Sequence, residues 1–412
     1  MKRTEAIIIG AGQAGLAVSR SLSTAQIDHV LLERGRVAQR WTERWDSLRL
    51  LSPNWMTRLP GWTSAGFDPD GFMSRDQVID RLRAYARSFN APVEEETTVL
   101  SVERVGELWR VETDRGTWTA PSVVVATGHC QKTRIPAIAQ DLSPDIAQIT
   151  TSDYRNPEQL PPGGVLVVGA SASGIQLANE LRIGGRRVVL SVGRHSRLPR
   201  RYRGKDILYW LDRTGSFDRP LSDMPDPAEA MREPSLQLVG NEQGTSLDLA
   251  VLESRGVELA GRLESFDGAR AHFAGDLAKC VKSADDQLGR LLARIDRHIT
   301  THGLAAPLPE GIARVPVERE VTDLDLRSAG ITSVLWATGY SRSYEWLRAP
   351  VLDENGEILQ VRGRTPAEGL YVIGLQFMIR RNSSFLHGVG RDAEEIAAEI
   401  RRKMRRREEE AA

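Results

Sequence analysis

Two stretches of the chain share one pattern of apolar and polar positions. Each begins with a short apolar run, turns at a glycine-rich segment and continues with helical spacing into a second apolar run. The first contains Ala6–Ile9, the turn Gly10-Ala11-Gly12-Gln13-Ala14-Gly15 and a run that ends at Glu33. The second contains residues 165–168, the turn Gly169-Ala170-Ser171-Ala172-Ser173-Gly174 and residues 188–192. A strand, a glycine turn, a helix and a strand open a doubly wound parallel sheet, so the sequence predicts two such sheets.

A second signal also occurs twice. Residues 123–128 and 334–339 both read as a buried strand that runs into Ala-Thr-Gly. Alternating residues with turns between positions 109 and 120 predict a small antiparallel meander. Near the end of the chain, residues 370–373 predict a further strand, which is followed by Gly374, a polar loop and a helix from about Arg391.

These elements predict an α/β fold with two Rossmann-like dinucleotide-binding domains and a small meander. The first domain is expected to be discontinuous, with residues 1–155 and 325–412. The second domain, residues 156–324, is expected to be inserted between these two parts.

Composition narrows the class of partner. The 55 basic and 55 acidic residues cancel, so no net field attracts the chain to nucleic acid or to a membrane. No apolar stretch is long enough for a signal segment or a membrane span. The only cysteines, Cys130 and Cys280, form no CxxC pair, which excludes a dithiol reductase centre and suits a reducing compartment. We expect a cytoplasmic protein with no nucleic-acid or membrane partner. A homodimer is one of the oligomeric states that we expect.

The first glycine turn has the spacing of a dinucleotide-binding loop. Gly10 permits the tight turn, Gly12 lets backbone N–H groups approach a pyrophosphate, and Gly15 lets the helix pack on the strand. A carboxylate at Glu33 binds ribose hydroxyls and repels a 2′-phosphate, so this site favours FAD or NAD over NADP. The alternative is a structural loop in an unrelated α/β protein. The candidate residues here are Gly10, Gly12, Gln13, Ala14, Gly15, Glu33 and Arg34.

The second glycine turn has Ser171 where the middle glycine of the pattern belongs. Between Glu180 and Asp206 there are eight arginines, one lysine and no acidic residue. Arg194, next to His195, and Arg197 follow the strand where an NAD site carries its carboxylate, and guanidinium groups suit the 2′-phosphate of NADPH. A solvated basic face is the alternative. The candidate residues are Gly169, Ser171, Ser173, Gly174, Arg194, Arg197 and Gly339.

A metal site is not predicted. His298 and His302 have the helical spacing of some zinc ligands, but no glutamate follows His298 and no third ligand lies nearby. A solvated helix end is the simpler interpretation.

Taken together, these motifs resemble the class B flavin-dependent monooxygenases. The resemblance rests on the paired glycine turns, the two Ala-Thr-Gly strands, Arg44-Trp45-Asp46-Ser47-Leu48-Arg49-Leu50 and Ser384-Phe385-Leu386-His387-Gly388-Val389-Gly390-Arg391-Asp392-Ala393. It extends from about residue 6 to about residue 396. The chain is most similar to the short members of this class, the flavin-containing monooxygenases and the plant indole-pyruvate type.

The resemblance implies an architecture like that of glutathione reductase, with FAD and NADPH as cofactors. By position, Trp41 would line the path to the flavin, Gly128 would mark the return to the FAD domain, and Asn54 would lie near the flavin ring. The loop of residues 383–387 would run beside the pyrimidine end of the isoalloxazine. The resemblance adds Trp41, Gly128, Gly374, Ser384 and Leu386 as cofactor-binding candidates and Asn54 and His387 as catalytic candidates.

One motif of the family is missing. Its F-x-G-x-x-x-H-x-x-x-Y/W signature, which the family links to coupling of NADPH binding with oxygenation, should precede the second glycine turn. Aligned on Tyr154, this chain has Pro144, Ile146 and Thr150 in place of the phenylalanine, glycine and histidine.

The expected function is an NADPH-dependent monooxygenase that transfers one oxygen atom from O₂ to a small organic substrate through a flavin C4a-(hydro)peroxide. The oxygen would go to nitrogen, sulfur or a carbonyl group. Two alternatives stay open: an FAD-dependent NADPH reductase or oxidase that makes no oxygenated product, and a nucleotide-binding redox sensor without enzyme activity.

Overall fold

Two five-stranded parallel sheets form the framework of the protein. The computed structural model describes residues 1–62, 68–231, 233–315, 317 and 320–411. In spatial order, the first sheet consists of Leu370–Val372, Ser122–Val125, Ala6–Ile9, His29–Leu32 and Val93–Glu94. The second consists of Ala147–Thr150, Ile331–Trp336, Gly164–Val168, Val188–Ser191 and Glu258–Ala260.

Both sheets reverse their strand order beside the strand that leads into a glycine turn. In the first sheet, strands numbered along the chain have the order 3-2-1-4-5, with Ala6–Ile9 between His29–Leu32 and Ser122–Val125. The second sheet places Gly164–Val168 between Val188–Ser191 and Ile331–Trp336 in the same way. Open α/β sheets bind their ligands at the carboxyl ends of the strands at such a reversal. The predicted pair of doubly wound sheets is therefore confirmed, with a potential ligand site at each.

The strand pairing also bears on the division into domains. Ala147–Thr150 and Ile331–Trp336 lie in the second sheet. The domain limits predicted from the sequence, at residues 155 and 325, would place both strands in the first domain. The two chain segments that cross between the sheets, Lys132–Thr133 and Tyr340–Ser341, pair with each other antiparallel. We propose domain limits at this pair, near residues 133 and 340.

Smaller sheets surround the framework. The predicted meander forms, and its sheet contains Lys2–Arg3, Gly116–Ala120, Leu108–Thr113, Val99–Val105 and Leu347–Arg348. An antiparallel sheet contains Leu263–Asp267, Arg270–Phe273 and Asp323–Asp325. Two further pairs are Ser196–Arg197 with Leu236–Gln237, and Arg201–Tyr202 with Lys205–Asp206.

The helices lie mainly between the strands and at the end of the chain. The described α-helices are Gln13–Thr24, Gln39–Thr42, Arg75–Ser88, Ala172–Ile183, Ile207–Arg213, Pro227–Met231, Leu249–Ser254, Leu277–Thr301 and Val389–Ala411. Short 3₁₀ turns occur at Asn54–Met56, Ala137–Asp141, Pro157–Gln159 and Leu221–Asp223. None of the helices in the described part of the chain is long and apolar enough to cross a membrane.

The apolar runs of the sequence form the cores of the two sheets. Every residue of Ala6–Ile9 and of Gly164–Val168 is buried, because parallel strands are covered on both faces. A separate apolar cluster, which we call the interdomain cluster, joins Met56 of the first domain to Leu208, Phe217 and Leu238 of the inserted part. Both catalytic candidates lie close to members of this cluster in the sequence.

Candidate functional site

The first glycine turn has the backbone geometry that a nucleotide loop requires. Gly10 has φ +106°, and a Cβ on it would lie 2.8 Å from the carbonyl oxygen of Ala126. A Cβ on Gly15 would lie 1.9 Å from the carbonyl oxygen of Gly10, so the helix and the strand can meet only at glycine. At Gly12, the residue that precedes the helix Gln13–Thr24, a Cβ would meet nothing within 4 Å. The loop is thus tightly packed at Gly10 and Gly15 and open at Gly12.

Glu33 lies beneath this loop. Its side chain is buried, one carboxylate oxygen accepts a hydrogen bond from the backbone N–H of Ala11 at 2.8 Å, and the other accepts one from Gly35 at 3.0 Å. Each oxygen keeps a lone pair for a further donor such as a ribose hydroxyl. The carboxylate is therefore held at the loop in a form that fits an adenosine ribose. Arg34, by contrast, is exposed and 3.7 Å from Glu43.

Other candidates gather around the start of the same helix. The indole N–H of Trp41 donates to the side-chain carbonyl of Gln13 at 3.4 Å. A Cβ on Gly374 would lie 2.8 Å from the Cβ of Ala14, so the loop after the last strand lies against the helix. His129, which follows Gly128, contacts the carbonyl oxygen of Gly374 at 3.4 Å. The fold thus brings these first-site candidates together from four separate parts of the sequence.

The C-terminal loop is organised by buried polar groups. The hydroxyl of Ser383 accepts hydrogen bonds from the backbone N–H groups of Ile379 and Arg380, at 3.1 and 2.9 Å. Leu386 is buried in the first core, and Ser384 is half-buried. The loop is therefore held by hydrogen bonds and apolar contacts within the protein.

His387 lies in this loop among aromatic rings. Its ring centroid is 5.8 Å from that of Phe217 and 6.0 Å from that of Phe385. Burial lowers the pKa of His387 to about 4, so the imidazole is neutral near pH 7. Its Nδ1 has no partner in the described structure, and its Nε2 is 3.4 Å from the amide nitrogen of Asn382. Asn382 itself is buried with an unpartnered Oδ1, and sequence reasoning missed it because a lone asparagine carries no motif.

Asn54 is the other catalytic candidate. It is buried in the turn Asn54–Met56, and its amide N–H donates to the carbonyl oxygen of Asp68 at 2.8 Å. Its Oδ1 has no partner among the described residues. Met56 belongs to the interdomain cluster, and Phe385 packs against it. Asn54 and His387 thus border one apolar region, each with a buried polar atom that no protein group satisfies.

The second glycine turn repeats the geometry of the first. Gly169 has φ +108°, and a Cβ on it would lie 2.5 Å from the carbonyl oxygen of Ala337, in the Ala-Thr-Gly turn that ends at Gly339. A Cβ on Gly174 would lie 1.7 Å from the carbonyl oxygen of Gly169. Ser171 precedes the helix Ala172–Ile183, as Gly12 precedes its helix. Both loops therefore present the positive end of a helix at a strand reversal.

Polar side chains near this second loop are half-buried or buried. Ser171 and Ser173 are both half-buried. Gln237, which sequence reasoning missed, is fully buried and donates to the carbonyl oxygen of Ala170 at 2.7 Å. It stands on a two-residue strand with no recognisable pattern, so only the fold shows that it supports the loop.

The two arginines proposed for the 2′-phosphate differ in their surroundings. Arg197 is buried, with Nη2 2.9 Å from the carboxylate of Asp248 and further bonds to Asp285 and to the carbonyl oxygen of Ala313. Because its donors are already engaged inside the protein, the structure argues against Arg197 as a coenzyme ligand. Arg194 has a side chain that is 50% exposed and forms an ion pair with Glu229. We therefore keep Arg194, without Arg197, as the proposed ligand of the 2′-phosphate.

His195, between these arginines, is also buried, and burial lowers its pKa. The described residues contain no group of three or more side chains able to hold a metal ion. His298 and His302 stack at 4.2 Å between ring centroids at the end of Leu277–Thr301.

The linker that carries the altered signature is well ordered by side-chain bonds. The hydroxyl of Thr150 donates to Asp153 at 2.6 Å and accepts from the backbone N–H of Ser152 at 3.2 Å. Tyr154 is fully buried and donates to Glu180 at 3.0 Å, on the helix that follows the second loop. Thr150 thus closes a turn at the position of the family's histidine.

Two strand reversals, each with a glycine loop and a helix start, give the chain the architecture of a protein with two dinucleotide sites. The sequence profile described as pyridine nucleotide-disulphide oxidoreductase matches residues 7–214. The chain belongs to this family. The match confirms the predicted class, a flavin-dependent oxidoreductase, and family and fold together support FAD and NADPH as its cofactors.

Similar proteins agree with this class. The uncharacterized oxidoreductase CzcO-like protein of Geobacillus kaustophilus is 32% identical over 96% of this chain and 98% of its own length. The probable indole-3-pyruvate monooxygenase YUCCA4 of Arabidopsis thaliana is 33% identical over 42% of this chain and 43% of its own. The resemblance to flavin monooxygenases is therefore confirmed.

Solved structures share the fold over nearly the whole chain. A flavin-containing monooxygenase from Stenotrophomonas maltophilia aligns with a TM-score of 0.70 and 18% identity, covering 98% of this chain and all of that one. A bacillithiol disulfide reductase from Staphylococcus aureus aligns with a TM-score of 0.62 and 14% identity, covering 98% and 99%. These likenesses confirm the predicted fold class.

Proposed function

We propose that the protein is an NADPH-dependent FAD monooxygenase that transfers one oxygen atom from O₂ to a small organic substrate. One observation carries the proposal: the two loops have the same backbone geometry but opposite charges beside them. A buried carboxylate, Glu33, accepts a hydrogen bond from the first loop, and a half-exposed guanidinium, Arg194, follows the strand Val188–Ser191 of the second sheet. The first site thus suits FAD and the second suits NADPH.

The residues of the first site would hold FAD as follows. The open side of Gly12 admits the pyrophosphate to the backbone N–H groups of the loop. Glu33 accepts from the ribose, and Trp41 lies beside the loop through Gln13. Held there, the flavin would supply the chemistry of hydride acceptance from NADPH and of O₂ activation.

The region around His387 would control water at the site of oxygen transfer. A neutral imidazole among aromatic rings brings no charge that attracts water. The unpartnered Oδ1 of Asn54 and Nδ1 of His387 are available to bound groups. Because Nε2 of His387 faces the amide donor of Asn382, the proton of the neutral ring lies on Nδ1. We propose that Oδ1 of Asn54 accepts a hydrogen bond from the flavin or the substrate and that Nδ1–H of His387 donates one, while the apolar interdomain cluster excludes water.

The experiment has two parts. The purified protein should be yellow and release FAD, and not FMN, on heating; a colourless protein that FAD does not reconstitute contradicts the proposal. Enzyme reduced with NADPH without oxygen is then mixed with oxygenated buffer in a stopped-flow spectrometer. An absorbing species distinct from reduced and oxidised flavin, together with an oxygenated organic product, is the expected result.

A second candidate function is an FAD-dependent NADPH reductase or oxidase. It is favoured by Thr150, whose hydroxyl closes a turn where the family's histidine would stand. We expect partial leakage to H₂O₂ even in a monooxygenase that lacks this signature. Reoxidation in a single step with stoichiometric H₂O₂, whatever substrate is offered, would establish the second candidate instead.

The coenzyme preference is tested separately. Charge-assisted bonds to a phosphate contribute about 1.5–3 kcal/mol each, so NADPH should be preferred to NADH about tenfold or more. Arg194→Ala should raise the KM for NADPH and leave that for NADH nearly unchanged. Equal use of both coenzymes by the wild type contradicts the NADPH site. A cytoplasmic location and a homodimer stay predictions, and light scattering after size exclusion measures the latter.

A further inference from the structure

One segment spans the distance between the two proposed sites. Residues 217–231, which we call the strap, follow shortly after the helix Ile207–Arg213 and pass along the C-terminal loop. The backbone N–H of Leu221 donates to the carbonyl oxygen of Ile379 at 3.1 Å. Arg391 donates to Asp218 at 2.6 Å. This end of the strap is thereby fixed to the C-terminal loop and to the helix Val389–Ala411 that follows His387.

The start of the strap also contacts His387 directly. Phe217 is buried in the interdomain cluster, with its ring centroid 5.7 Å from that of Phe385 and 5.8 Å from that of His387. The first part of the strap is thus anchored by aromatic packing, a backbone hydrogen bond and an ion pair.

The far end of the strap reaches the second site. The short helix Pro227–Met231 begins after Asp226, whose carboxylate accepts from the backbone N–H of Glu229 at 2.9 Å. This bond orients Glu229, whose own carboxylate accepts a hydrogen bond from Nη1 of Arg194. The side chains of Glu229 and Arg194 are 53% and 50% exposed, so a ligand can reach the pair from solvent.

A carboxylate and a phosphate compete for the same donors of a guanidinium group. A carboxylate presents two anionic oxygens and a phosphate monoester presents three, and both groups accept charge-assisted hydrogen bonds from a guanidinium group. Glu229 also cancels the charge of Arg194 for an approaching coenzyme. A 2′-phosphate carries more negative charge than a carboxylate and can displace it, whereas the 2′-hydroxyl of NADH cannot.

We propose that Glu229 occupies the phosphate-binding side of Arg194 and sets how strongly the enzyme selects NADPH over NADH. This inference rests on the proposed function, because it takes Arg194 as the residue that binds the 2′-phosphate. Binding of NADPH exchanges one anion for another at Arg194 and breaks the contact between Glu229 and that guanidinium group, while the near end of the strap stays on the loop of His387.

The test compares Glu229→Gln with the wild type. KM and kcat are measured with NADPH and with NADH at low and moderate salt. An exposed ion pair contributes about 0.2–1 kcal/mol, so removing the competitor should lower the KM for NADPH by about 1.4-fold to fivefold. The KM for NADH should not change, and the effect should shrink at higher salt because screening weakens exposed pairs.

A matched control is available on the same segment. Asp223→Asn removes an equal charge from a residue whose carboxylate accepts a hydrogen bond from the hydroxyl of the neighbouring Ser222. If Asp223→Asn lowers the KM for NADPH as much as Glu229→Gln does, a long-range charge effect replaces the proposed contact. FAD content and thermal unfolding of each variant establish that the fold is intact.

The outcomes separate this inference from the proposed function. If the wild type prefers NADPH and Arg194→Ala raises its KM, but Glu229→Gln behaves as the wild type, the role of Glu229 is refuted while the NADPH site stands. If the wild type uses both coenzymes equally and Arg194→Ala has no effect, the NADPH site and the role of Glu229 both fail.

Discussion

Alanine substitutions in the first glycine loop should separate cofactor binding from packing. Gly12 has φ −80° and ψ −173°, which any residue adopts, and a Cβ there meets no protein atom within 4 Å. Gly12→Ala should therefore fold, at a cost of about 1 kcal/mol or less for the poorer helix start. Its methyl group would instead stand where the pyrophosphate approaches the backbone.

The expected loss of affinity follows from the bonds at stake. Hydrogen bonds to a charged group contribute about 1.5–3 kcal/mol each, so losing one should raise the Kd for FAD about tenfold to hundredfold. At Gly15 the substitution acts differently, because a Cβ would lie 1.9 Å from the carbonyl oxygen of Gly10. The helix would have to move, and overpacking of this kind costs about 1–3 kcal/mol. The apoprotein of Gly15→Ala should thus unfold roughly 2–12 °C lower than wild type.

The assay titrates FAD into each apoprotein and follows quenching of flavin fluorescence, alongside thermal unfolding without FAD. Gly174→Ala is the matched control: its Cβ would lie 1.7 Å from the carbonyl oxygen of Gly169, in the other loop, so it should lower stability without blocking FAD. If Gly12→Ala binds FAD within about twofold of the wild type, the pyrophosphate does not approach this loop as we infer.

Two further predictions follow from buried charge. Arg197→Met should destabilise the protein by about 3–5 kcal/mol in urea unfolding, because Asp248 and Asp285 lose their partner. A variant that is as stable as the wild type but has a raised KM for NADPH would return Arg197 to the proposed coenzyme site. His387 has a pKa of about 4 in the folded state and 6.5 as its ordinary value, so the unfolded state binds its proton first as the pH falls. The free energy of unfolding of the apoprotein should decrease by up to about 3 kcal/mol as the pH falls from 6.5 to 4. His387→Gln should lack this part of the pH dependence, and an identical pH dependence in the variant refutes the lowered pKa.

The sequence predicted the elements whose signal is local. Both glycine loops, the strands Ala6–Ile9 and Gly164–Val168 and the meander were predicted, because glycine spacing and apolar runs report local backbone geometry. The sheet to which a buried strand belongs is a different matter. Ile331–Trp336 is as apolar as Ser122–Val125, and only long-range pairing decides that it joins the second sheet.

The candidate site shows the same division. Glu33 could be predicted because a fixed distance along the chain separates it from its loop. The surroundings of Arg197 could not be predicted, because its partners Asp248 and Asp285 are far away in sequence and only folding brings them to it. Glu229 and Asn382 carried no motif at all, and their roles depend on contacts between segments.

The inserted half of the protein enters and leaves the rest of the chain at one place, where Lys132–Thr133 pairs with Tyr340–Ser341. All five strands of the second sheet lie between residues 134 and 339, and all five of the first lie outside that interval. Because the outgoing and returning segments are hydrogen-bonded neighbours, a short turn could join residue 133 to residue 340 with little loss of chain entropy. The segment between residues 133 and 340 could therefore be exchanged as one unit. The strand connections of the half that would hold the flavin would stay unchanged.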